Sequence, residues 1–87
     1  MRREPEFFGD QEMDLLYIGK KLKQALALEE KLTEAGIDYA VEVDTYTGGV
    51  IFKSARQGAF FYVLPEALEK ARQVARDAGF TPYSATD

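Results

Sequence analysis

One phrase is written twice in this chain: TEAGIDY, ending at Tyr39, and RDAGFTPY, ending at Tyr83. In each, a run of helical character closes on Ala-Gly, and an apolar residue and a short extended segment follow. A glycine there suits the left-handed residue that ends many helices, and the next apolar residue suits the contact that accompanies such a cap. The likeness extends upstream, since LLYIG precedes the first helix and FFYVL the second. Aligned this way, Leu16 matches Phe61, Tyr17 matches Tyr62 and Ile18 matches Val63. Two copies of strand, helix, cap and strand in 87 residues predict an α+β domain. The expected architecture is the ferredoxin-like β-α-β-β-α-β plait, with two helices on one face of an antiparallel sheet.

The boundaries follow from periodicity. Residues 1–12 are charged, broken by Pro5 and Gly9, and read as a flexible N-terminal arm; Phe7 and Phe8 in it need a cover, from this domain or a partner. The single domain runs over 13–84, with 85–87 as a tail. MDLLYIG (13–19) is a short apolar strand. From Lys20 to Ala35, residues Leu22, Ala25, Leu28, Leu32 and Ala35 make one helical stripe. DYAVEVD (38–44) alternates, with Tyr39, Val41 and Val43 on one side. TYTGG and ARQG are predicted as turns around VIFKS, and the sequence leaves open whether residues 49–54 join the sheet. AFFYVL (59–64) is a strong strand. Pro65 opens a second helix whose stripe is Ala67, Ala71, Val74 and Ala78. FTPYS is a Pro-containing candidate for a final edge strand.

Composition narrows the chemistry. The chain has no cysteine and no histidine, so thiol nucleophiles, disulfides and imidazole general bases are absent. No catalytic constellation, metal site or cofactor site is expected, and the chain reads as not an enzyme. A net charge of -4 and a pI near 4.8 argue against nucleic acid as a partner. No apolar run has the length of a membrane span, so the expected location is cytoplasmic.

Three candidate sites remain. If strands alternate regularly, Tyr17, Phe60 and Tyr62 point away from the helices and form an aromatic interaction face on the sheet, for a partner or a second copy. Gly19, Lys20, Lys21 and Lys23 open the first helix, where cations oppose the macrodipole; glycine, free N–H groups and lysines there could receive an anion such as phosphate or a nucleotide. Asp10, Glu12 and Asp14, or Glu42 and Asp44, could hold a hard cation, but neither set has the spacing of a known site; they read as solvated faces.

Two resemblances bear on function. LYIGKKL (16–22) resembles the first-strand motif of RNA-recognition domains, and RQGAFFYV (56–63) loosely resembles their third-strand motif. Carried across, Tyr17 and Phe61 would stack on bases, with Ala59 standing where a further aromatic is usual. That alignment turns Phe61 outward, against the internal repeat. Over about residues 13–80, the order of an apolar strand, ALALEEKLTEAGIDYAV and FFYVLPEALEKARQVARDAG resembles the small bacterial domains called prokaryotic signal-transducing proteins. The resemblance implies a ferredoxin-like domain with no established catalytic residues. The function expected is therefore a non-enzymatic regulatory or protein-interaction module, self-associating as a homodimer through the sheet face or an edge strand. The alternative is a small ligand-binding module for a nucleotide, a phosphate-bearing metabolite or single-stranded RNA.

Overall fold

A computed structural model describes residues 1–47 and 55–83. The order is a 3-10 turn at Pro5–Phe8, then β1 (Asp14–Gly19), α1 (Leu22–Glu34), β2 (Ala40–Thr47), β3 (Ala55–Val63) and α2 (Pro65–Asp77). This is an α+β domain: the strands form one antiparallel sheet in the order β1-β3-β2, and α1 and α2 pack on it. The VIFKS segment falls outside the described residues. ARQG, expected as a turn, is instead the first part of β3, and β2 runs on to Thr47. Residues 55–58 pair rung for rung with 44–47, so cross-strand pairing overrides the local turn character of Gly58.

The repeated phrase is a repeated helix cap. At α1, the Ile37 N–H donates to the Leu32 carbonyl at 3.0 Å and the Gly36 N–H to Thr33 at 3.0 Å. At α2, the Phe80 N–H donates to Ala75 at 2.9 Å and the Gly79 N–H to Arg76 at 3.0 Å. Both are Schellman closures. Gly36 has φ 73° and Gly79 φ 90°, a conformation that a Cβ penalises. No neighbouring atom would meet that Cβ at Gly36. Gly36→Ala should therefore cost about 1 kcal/mol from backbone conformation alone, read as a lower urea midpoint with an unchanged m-value.

The core lies between the sheet and the helices. Leu16, Ala25, Leu28, Leu32, Ile37, Tyr39, Phe61, Val63, Ala71 and Ala75 form one buried cluster. Ala25, Leu28 and Leu32 come from the predicted stripe of α1. Leu22, which the same stripe included, is 75% exposed. On α2 the buried residues are Ala71 and Ala75, so the stripe is turned slightly from the one expected. Phe61, in the central strand, stacks on Tyr39 with ring centroids 5.8 Å apart.

Tyr39 carries the core's polar handle. Its hydroxyl donates to the Glu29 carboxylate, 3.1 Å away on α1, so a buried ring still satisfies its O–H. Burial, as the largest cause, raises its pKa above the ordinary tyrosine value of 10.0. The sign follows from linkage: the unfolded chain ionises first as pH rises. The stabilisation is complete below the unfolded value and is lost as pH climbs through the folded one. Alkaline denaturation of the wild type should thus be steeper above about pH 10 than that of Tyr39→Phe, as followed by circular dichroism.

Candidate functional site

The aromatic face expected on the open side of the sheet is not assembled as alternation predicts. Leu15 pairs with Tyr62 and Tyr17 with Phe61, leaving Leu16 as an extra residue in a β-bulge. A bulge sets two residues against one and shifts the phase of the strand beyond it. Leu16 is fully buried, and Tyr17 also packs on the helix side. Its ring meets Phe61 edge-on at 6.1 Å and Phe80 at 5.3 Å, and burial raises its pKa. Tyr17 is therefore a core-edge residue and not part of an outward platform. Phe61 is fully buried, which removes the second stacking residue of the RNA-recognition resemblance.

Phe60 and Tyr62 do lie on the side away from the helices, in register with Ile18 and Leu15 of β1 and with Glu42 and Ala40 of β2. Both rings are half-buried. The N-terminal residues explain part of that cover. Arg2 bridges Tyr39 in parallel at the outer edge of β2. The Arg3 N–H donates to the Tyr39 carbonyl at 2.8 Å, the Tyr39 N–H donates to the Met1 carbonyl at 3.1 Å, and the Met1 amino group bonds the Ile37 carbonyl. From that edge the chain must reach Asp14 at the opposite edge of the sheet, and the helices occupy the other face. Residues 4–13 make that connection, with the 3-10 turn at Pro5–Phe8 along it. Phe8 and Ala40 are buried yet outside the main cluster. Phe7 stays exposed, with the Arg3 guanidinium over its ring at 4.6 Å, and Arg3 also pairs with Asp38 at 2.9 Å. Such an exposed ion pair contributes little, so the backbone bonds hold the arm.

The lysine-rich start of α1 sits over a shallow cleft of about 210 Å³, lined by Gly19, Lys20, Lys21, Leu22, Ala25, Val43, Gly58 and Ala59. Gly19 is needed there: a Cβ on it would come within 3.3 Å of the Ala25 Cβ. Gly19→Ala should push the first turn of α1 outward and widen the cleft, seen as chemical-shift changes at Ala25. The helix starts at Lys21 without a side-chain cap and without an acid in its first turn. Lys23 is exposed on the same turn and does not line the cleft. The floor is apolar, and the charge lies only on the rim.

The described residues include no group of three or more metal-ligating side chains, and their buried set holds no charged or polar residue. Glu42 is exposed. No described helix is long and apolar enough to cross a membrane.

Sequence reasoning missed a different feature, the flank of the domain along β2. Val43 is 69% exposed, Leu22 75% and Leu26 55%. Leu22 and Val43 line the same cleft, and Leu22 and Leu26 share the side of α1 that carries Glu29, the partner of Tyr39. Leu22 and Val43 thus meet on one flank, and Leu26 stands one turn further along α1. The periodic pattern could have flagged Leu26, which stands off the buried stripe of α1 without a structural role.

No family model matches the chain, and no curated protein or solved structure matches it.

Proposed function

We propose that this chain is a non-catalytic interaction module that self-associates, and that its contact surface is the β2 flank, not the open aromatic face. The exposed Leu22, Leu26 and Val43 beside an edge strand carry this reading. A small domain that leaves large apolar side chains exposed beside an edge strand has a surface suited to another protein. β2 reads AVEVDTYT, with Glu42 and Asp44 as its charged residues and without lysine or proline. The resemblance to bacterial signal-transducing domains fits a regulatory role in the cytoplasm. The strand order β1-β3-β2 is that of the first three strands of the plait. The Tyr83 N–H donates to Leu16 at 2.7 Å, and we read the final segment as the fourth strand beside β1.

The test is molar mass by light scattering at low and high salt. Association through apolar and backbone contacts predicts twice 9.8 kDa at both, because screening weakens only charge pairing. A monomer of 9.8 kDa at all concentrations overturns the reading.

The cleft beneath Lys20 and Lys21 favours a second reading, a module for a phosphate-bearing ligand whose apolar part would rest on Val43 and Ala59. It predicts nucleotide binding that weakens steeply as salt rises. Lys21→Glu should abolish that binding and leave the molar mass unchanged, which separates the two readings by titration calorimetry.

A further inference from the structure

We propose that two copies of this chain join β2 to β2 in antiparallel fashion about a two-fold axis, making one sheet continuous across the seam. The inference rests on the self-association reading and names its geometry. The direction of the backbone groups carries it. Tyr39 turns both its N–H and its carbonyl outward, since both bond the N-terminal residues. In an antiparallel ladder these directions alternate by residue, and β2 pairs with β3 without a register shift. Val41 and Val43 therefore also present N–H and carbonyl groups outward. Neither has a backbone partner outside the sheet among the described residues.

The edge has already accepted one strand. Residues 1–3 cover it at Tyr39 and then leave it at Pro5, where the 3-10 turn starts. Beyond that point no described residue outside β3 pairs with it.

A second copy is the occupant that matches the edge. Two identical antiparallel edges are self-complementary about a two-fold axis, so every outward donor finds an acceptor without a new surface being needed. The same rotation brings Val43 and the α1 flank of each copy to the seam, covering Leu22 and Leu26. An edge strand paired through its backbone alone would not need those side chains, and apolar side chains alone would not need the open edge. Both are present on one flank.

Val43→Pro tests the geometry. The Val43 N–H points outward, so proline removes a seam donor and spares the ladder to β3. One bond lost from each copy should raise the dimer dissociation constant roughly tenfold or more by sedimentation. Leu26→Lys, at a position already more than half exposed, should do the same without touching the backbone, which guards against a Val43→Pro chain that fails to fold. Ile18→Lys, on the open face, should leave the mass unchanged. A dimer that resists both Val43→Pro and Leu26→Lys but dissociates with Ile18→Lys overturns the β2 seam and keeps self-association. A wild-type chain that is monomeric throughout overturns both.

Discussion

Phe61→Ala is expected to cost the protein a large part of its stability. Phe61 is fully buried in the central strand and touches Tyr39 on one side and Tyr17 on the other. Truncating such a ring costs about 3–5 kcal/mol. A chain of this length has a total stability of only roughly 5–10 kcal/mol, from a core that small domains cannot enlarge. The loss is read as the shift in urea midpoint, or as absent cooperative unfolding. A midpoint close to wild type would mean that the ring is not enclosed between sheet and helices.

Tyr17→Ala is the second large effect, expected at about 2 kcal/mol because the ring is half-buried between two aromatics. Tyr17→Phe should be nearly neutral, within about 0.5 kcal/mol, since no hydrogen bond holds the hydroxyl among the described residues. A solvent-facing platform residue would give the opposite ordering of concern: both changes would be harmless to stability. Equilibrium unfolding of the pair of variants therefore reads out the bulge at Leu16 directly.

That bulge shows where sequence reasoning stops. The helices and their ends were legible, because Ala-Gly followed by Ile37 or Phe80 encodes a specific hydrogen-bond closure with local causes. The strand-helix-strand repeat was legible for the same reason, and it led to the correct order of the described elements. The facing of Tyr17 was not. Strict alternation assigned it to the side opposite Leu16, and the glycine of MDLLYIG, Gly19, stands three residues past the bulge, so nothing at Leu16 announces the extra residue. The bulge turns Tyr17 onto Phe61 and Phe80, contacts between elements that a local pattern does not carry.

Leu22 and Val43 escaped for a related reason. Periodicity says which side of a helix or strand is apolar; it does not say where the covering layer ends. Leu22 belongs to the first turn of α1, on the flank beside β2, and Val43 lies on the helix-facing side of a strand beyond the reach of that cover. Each fits its pattern and is still exposed. The lysine cluster was legible as a cluster, and the structure divides it: Lys20 and Lys21 rim the cleft, while Lys23 lies apart. Phe60 and Tyr62 lie on the side expected of them, opposite the buried Phe61 and Val63, and the need of Phe7 and Phe8 for a cover was legible too: Phe8 is buried and Phe7 is not.

Amide hydrogen exchange at Val41 and Val43, followed by NMR over a range of protein concentrations, tests the central claim most directly. Their N–H groups point away from β3, and among the described residues no backbone group of the same copy accepts from them. The account predicts slow exchange that slows further as concentration rises, matching the mass measured under the same conditions. Fast exchange at every concentration, with Ala40 and Glu42 protected beside them, would contradict it and place any contact between copies elsewhere.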